Sequence, residues 1–183
     1  MVCMARLIRS EDMQQRDTLA NARLLLGCRL VVGHGVARRA LRITEVEAYD
    51  GPEDRASHAS RGRTARNAPM FGSAGIWYVY LCYGIHEMLN LVTGPVGYPA
   101  AVLIRGVEGI NGPGRLTRAL GIDRRTNGKP ATRTTGLWIE RADEVPDGEI
   151  ESTPRIGVGY AGPVWSAKPW RLVWRPRSGM GSD

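Results

Sequence analysis

Apolar positions in this chain come in short runs, and 23 glycines and 11 prolines are spread between them. That pattern favours many short elements and tight turns over a helical bundle. Asp17 stands as an N-cap for a helix running to about Leu26, with Gly27 as its stop. Strands are predicted over 29–32 and over 40–49, the latter on Ile43, Thr44 and Val46. Gly51-Pro52 breaks that strand, one or two helical turns are predicted over 53–58, and a polar, basic loop fills 61–67. The most β-like stretch is 76–92, IWYVYLCYGIHEMLNLV, which reads as a hairpin. A buried strand is predicted over 100–107, and Gly112-Pro113-Gly114 turns into a helix over 115–120. Later strands are predicted over 137–141, 156–159 and 170–174. The expected architecture is one α+β domain over 1–175, a curved, mostly antiparallel, open barrel-like sheet with surrounding helices and a protruding β-hairpin. Residues 176–183 are expected to form a loose tail.

A chain of 183 residues can bury a core without a disulfide or metal to staple it. No apolar run reaches the ~18–20 residues of a membrane span, and the first ten residues lack the apolar stretch of a signal peptide. Cys3, Cys28 and Cys82 form no CxxC, which excludes a disulfide framework and a cysteine-rich zinc site and points to the cytoplasm. The net charge is +7, and of 25 basic residues only Lys129 and Lys168 are lysines. Genomic base composition that favours arginine codons is one reading of that bias. A polyanion partner is compatible with it, since guanidinium forks suit phosphates.

Simple alternation along 40–49 places Glu45, Glu47 and Tyr49 on one face with Leu41 and Ile43. Two carboxylates continuing an apolar face mark either a strand end in solvent or a cleft with a general base, and alternation does not choose between Glu45 and Glu47. Tyr49 and His58 flank the break and could line one cavity beside Glu47, where flat rings would suit a planar guest such as a nucleobase. Glu47, Asp50, Glu53, Asp54 and His58 could instead ligate a hard divalent metal, although their spacing matches no metal motif.

Gly84 is the only turn former in 76–92, so the tip is Tyr83-Gly84-Ile85. A tyrosine is unusual at a hairpin tip. It either packs under a neighbouring loop or acts as a wedge filling the gap left by a flipped-out base. With a loop over 84–86, Tyr80 would lie opposite Asn90, presenting a ring and an amide on one face. Arg105, on an otherwise apolar strand, needs a partner such as a pocket glutamate or solvent.

The segments TEVEAYDGPEDRASHASRGRTARNAPMF, WYVYLCYGIHEMLN, AVLIRGVEG, NGPGRLTRALGID and RIGVGYAG together resemble the alkyladenine (3-methyladenine, methylpurine) DNA glycosylase family, over roughly 6–175. The resemblance implies that Glu47 is the water-activating base, helped by Arg105 and the backbone carbonyl of Ile156. It implies that Tyr49, His58 and Tyr80 enclose the flipped base, that Asn90 disfavours a guanine 2-amino group, and that Tyr83 intercalates into DNA. The chain departs from the family pattern in the short Gly109-Ile110-Asn111 link, where relatives carry a longer helical stretch.

The activity implied is monofunctional. A damaged purine (3-methyladenine, 7-methylguanine, or hypoxanthine and ethenoadenine) is flipped and its N-glycosidic bond hydrolysed, in base excision repair. No cofactor or metal is expected. The expected partner is double-stranded DNA carrying damaged purines, with no membrane, and the protein acts as a monomer in the cytoplasm, nucleoid-associated if bacterial. Neither lysine lies in a pocket-like motif, so no Schiff-base lyase step is expected. The alternatives are a non-catalytic basic nucleic-acid binding module and a metal-dependent phosphodiesterase.

Overall fold

The computed structural model describes residues 6–13 and 17–177. Asp17 opens helix α1 (Thr18–Leu25) by accepting the N–H of Ala20, which satisfies one of the helix's free first-turn donors. Among the described residues, nine strands follow or flank the helices: β1 (Arg29–Val32), β2 (Arg39–Asp50), β3 (Trp77–Cys82), β4 (His86–Val92), β5 (Ala100–Val107), β6 (Ile110–Asn111), β7 (Leu137–Glu140), β8 (Ile150–Thr153) and β9 (Arg171–Trp174). Helix α2 (Pro113–Leu120) lies between β6 and β7, and α3 (Pro163–Ser166) between β8 and β9. The sheet runs β3-β4-β5-β2-β1-β7, with β6 on β5 and the β8–β9 pair joined to β2. Every pairing of these strands is antiparallel. The result is a single α+β domain built on a curled half-barrel sheet with few helices.

The long strand β2 is the spine. Its first residues pair with β1, and its remainder pairs with β5 and β9. Register shifts between Ile43, Glu45 and Val46 mark a β-bulge. One extra residue reverses the alternation, so Ile43, Val46 and Ala48 all enter the main core. Glu45, Glu47 and Tyr49 therefore face away from Ile43, which corrects the simple alternation expected for this strand. The main core also takes Trp77, Leu89, Leu91, Val102 and Ile104 from the sheet and is covered by Leu25 of α1 and Leu116 of α2. The other face of β3–β5 packs Tyr78, Val92 and Ala101 against Ala59 and Met70 of the irregular segment after β2.

Two local expectations are corrected. Residues 53–57 form turns in place of the helix expected over 53–58, and a short 3-10 helix begins only at His58 (His58–Arg61). Asp54 explains this: its carboxylate accepts the N–H groups of Asp50 and Ala56, so a side chain replaces helical carbonyls. The strand expected over 156–159 is a turn, with Gly157 at φ +76, a conformation that leaves a ladder. The strand of this region is β8, which ends before the turn and whose Glu151 and Ser152 are exposed and carry no apolar alternation.

The hairpin closes through the Ile85 N–H to the Cys82 carbonyl at 3.2 Å, so its loop is 83–85. Tyr80 consequently pairs with Met88 and Tyr78 with Asn90, two residues from the register that a loop over 84–86 would give. Of the expected tail, 178–183 lie outside the described residues, as do 1–5. Among the described residues, no helix is long and apolar enough to cross a membrane.

Gly51 ends the spine at φ +72, and a Cβ there would lie 2.6 Å from Cζ of Tyr98. Tyr98 donates its hydroxyl to Asp50 at 3.2 Å, and Thr18 donates to the same oxygen at 2.6 Å. Gly51→Ala combines left-handed strain with overpacking and is expected to destabilise the fold by about 2–4 kcal/mol, read as a lower urea midpoint at unchanged m-value.

Candidate active site

The bulge turns Glu45, Glu47 and Tyr49 toward the same side as Leu103 and Arg105 of β5, and this face opens into a cleft of about 1140 Å³. Glu47 is fully buried behind the cleft lining, its partners Tyr49, Arg105 and Ile156 standing between it and the open space. Its Oε2 accepts the Tyr49 hydroxyl at 2.8 Å, and its Oε1 accepts the Ile156 backbone N–H at 2.8 Å. The Nε of Arg105 stands 3.4 Å from the same Oε1. Burial pushes the Glu47 carboxyl above its ordinary value, and Arg105, Ile156 and Tyr49 hold that rise back. A carboxyl raised in this way but still solvated by hydrogen bonds has the character of a general base. Burial, and then the Glu47 charge, also push the Tyr49 hydroxyl well above its usual value, so it remains a donor.

Glu45 has the opposite environment. Burial raises its carboxyl, but hydrogen bonds from Arg171 (2.6 Å) and Arg105 (2.8 Å) outweigh burial and bring it below the ordinary range. Alternation left the two glutamates equal; burial and partners separate them.

Tyr49, His58, Tyr80, Tyr83, Arg105 and Ile156 all line the cleft. His58 and Tyr80 touch edge to face with centroids 4.5 Å apart, so a planar guest cannot enter between those two rings. They form one composite wall, and any slot lies between it and the Tyr49 side. Burial, and then the positive charge of Arg66, lower the His58 pKa, which keeps the imidazole neutral at physiological pH. Its Nδ1 lies 3.0 Å from the Tyr78 hydroxyl, whose own pKa burial pushes up to about 12. Tyr83 is 88% exposed at the cleft rim and has φ 50, the one positive φ among the described non-glycine residues. Ile156 contributes its N–H to Glu47, where the resemblance implied its carbonyl.

Two expected residues do not themselves line the cleft, Glu47, which lies behind its partners, and Asn90. Asn90 is buried, and its Nδ2 donates to the carbonyls of Tyr78 and Met88. It pairs with Leu103 and stands two residues along β4 from Met88, and both of these residues line the cleft.

Further contributors lie outside the residues that sequence reasoning assigned to the catalytic and base-binding site. Arg155 is buried between the Tyr49 and Trp170 rings, 4.7 and 5.0 Å from their centroids. Its guanidinium grips both oxygens of Asp54 at 2.6 and 2.9 Å and donates to the Ala48 carbonyl. It thereby fixes the back of Tyr49 and the segment that presents the Ile156 N–H. No periodicity marks Arg155, and Asp54 drew notice only as a possible metal ligand. That alternative cluster is dispersed: Asp54 is taken by Arg155, and Asp50 by Thr18 and Tyr98. Tyr78 and Tyr160 complete the aromatic lining, Tyr160 donating its hydroxyl to the Ala56 carbonyl at 2.8 Å. Arg55, Arg61, Arg66 and Arg115 line the same cleft, a concentration of positive charge suited to a phosphate backbone.

The class of protein follows from comparison with known sequences: the chain matches the DNA glycosylases, hydrolases of the N-glycosyl bond. The family model described as methylpurine-DNA glycosylase (MPG) matches residues 12–111 and 109–178, and the chain belongs to that family. It is 50% identical over 167 residues to a protein of Anaeromyxobacter dehalogenans strain 2CP-C, covering 87% of this chain and 80% of that one. Identity is 46% over 171 residues to a protein of Myxococcus xanthus (88% and 87% covered) and 42% over 174 residues to one of Sodalis glossinidius (90% and 95% covered). Each of the three carries the name "Putative 3-methyladenine DNA glycosylase". The protein is thus a DNA-repair glycosylase of the 3-methyladenine/methylpurine type.

Both side chains of the Arg155–Asp54 pair are fully buried. Asp54→Asn leaves a guanidinium without its counter-charge and is expected to cost about 3–5 kcal/mol of stability, measured by chemical denaturation.

Proposed function

We propose that this protein is a monofunctional glycosylase that begins base excision repair by flipping alkylated purines such as 3-methyladenine and 7-methylguanine out of duplex DNA. The observation that carries the reading is Glu47, a buried carboxylate held by Tyr49 and Ile156, both of which line a ring-lined cleft. Tyr83 enters the vacated stack, and the base lodges between Tyr49 and the His58–Tyr80 wall. Glu47 takes a proton from water, with Arg105 and the backbone at Ile156 orienting it. The water oxygen bonds to C1′ as the bond to the purine nitrogen breaks. An alkylated purine that starts as a cation takes the bonding pair and leaves neutral, which is why it departs readily. The slot's electron-rich rings also favour such a guest.

Hypoxanthine and ethenoadenine fit the same slot but are neutral and need a proton to leave, so their release is slower. Asn90, two residues along β4 from Met88 and opposite Leu103, limits the slot against a guanine 2-amino group. The protein works as a monomer on duplex DNA in the cytoplasm, with nucleoid association in a bacterium. A lyase step needs an amine at C1′. Lys168 sits over Trp165 and Trp170, and neither it nor Lys129 lines the cleft.

The test offers duplexes with single defined lesions, in EDTA, and identifies the released base by mass. Glu47→Gln is expected to lower the single-turnover rate by about 10²–10⁴-fold. In the wild type the rate should rise with pH through a midpoint above the ordinary carboxylate range, because only the ionised base is competent and burial raises its pKa. Full activity of Glu47→Gln would overturn the reading.

Tyr83→Ala should forfeit a stacking contact of about 1–3 kcal/mol and slow excision from duplex DNA by roughly 10–100-fold, while a lesion in single-stranded DNA is affected far less. Equal losses on both substrates would remove the wedge role.

A further inference from the structure

We propose that Glu45 and Arg171 are positioning residues that determine how much of the Arg105 charge reaches Glu47. The inference rests on the reading of Glu47 as the base.

The geometry is asymmetric. β2 presents Glu45 and Glu47 on one face, β5 brings Arg105 against both, and β9 brings Arg171. Arg105 has one Nε to share, and it lies 2.8 Å from Glu45 but 3.4 Å from Glu47. Arg171 adds its own Nε to the same Glu45 oxygen at 2.6 Å and is steadied by an Nη1 bond to Thr153 of β8 at 3.0 Å. Glu45 therefore draws Arg105 away from Glu47, and Arg171 neutralises Glu45 while it does so. Among the described residues, the terminal nitrogens of Arg105 make no hydrogen bond, and the side chain lines the cleft. The groups facing Glu47 are Tyr49 and Glu45 from β2, Arg105 from β5, Tyr80 from β3 and the Ile156 N–H. Of these only Arg105 is a cation, so small changes in its position weigh heavily. The two carboxyls lie on opposite sides of the ordinary value, Glu45 below it and Glu47 above, as this division of partners requires.

The consequences have definite signs. Without Glu45, Arg105 can close on Glu47 and a like charge disappears, and both effects make Glu47 a weaker base. Without Arg171, the Glu45 charge is less compensated and Glu47 holds its proton more tightly.

The experiment is the pH profile of single-turnover excision of 7-methylguanine from a duplex, with melting temperatures recorded in parallel. Glu45→Gln is expected to move the ascending limb to lower pH by about half a unit or more and to lower the plateau roughly 10-fold, with KM within twofold of wild type. Arg171→Gln is expected to move the limb to higher pH, and Arg171→Lys, which keeps the charge, to return it toward wild type. If Glu45→Gln is too unstable to purify, Glu45→Asp should move the limb down by a smaller step. Limbs that stay fixed while melting temperatures fall would reduce the pair to a structural role and overturn the proposal, as would shifts of the same sign. Undiminished activity of Glu47→Gln would instead overturn the base assignment on which the proposal stands.

Discussion

A carboxylate is kept charged away from water only when donors reach it from several directions, and the molecule is organised around meeting that demand at Glu47. Its partners come from its own strand (Tyr49), a neighbouring strand (Arg105) and a turn more than a hundred residues later (Ile156). None of the three can be local to another, so the sheet must be complete before the carboxylate is solvated by protein. The bulge in β2 is the first requirement, because it releases Glu45 and Glu47 from the core face that Ile43 occupies. The Arg155–Asp54 pair is the second, because it pins the turn that delivers the last donor.

Isolated ionic pairs in a protein interior return little net stability compared with well-packed apolar residues. Here the buried charges do something that apolar residues cannot. Arg155 lies flat between two rings, bonds a strand carbonyl and clamps a carboxylate, so one side chain fixes the orientation of Tyr49 and the path of the segment beside it. Burial also keeps His58 neutral beneath the Arg66 charge and keeps the surrounding phenols protonated. The slot is thus lined by uncharged rings, while the guanidiniums stand around its opening.

Much of this was legible in the residues themselves. The runs 29–32, 76–92 and 100–107 carry their strand character in β-branched and aromatic side chains, and Asp17 announces its helix by capping chemistry. What escaped was structure whose cause lies elsewhere in the chain. The extra residue in β2 has no glycine or proline to mark it, and only the partner strands reveal it. Residues 53–58 avoid a helix because a distant arginine recruits Asp54. β8 is an edge strand without an apolar face, and β9 alone defines it. Among the site residues, the short motifs around Glu47, His58 and Tyr83 were visible by resemblance. Arg155 lay inside the segment RIGVGYAG, but nothing in it gave the arginine a role, and Arg171, one arginine in a chain rich in arginine, carried no pattern.

The contact between Ile156 and Glu47 leaves the freest mark on the sequence. A main-chain amide supplies it, and every residue except proline has one. The Ile156 side chain itself is 51% exposed. What that side chain presents at the rim can therefore diverge from one homologue to the next without touching the carboxylate within, so the outer surface and the inner chemistry are free to evolve on separate schedules.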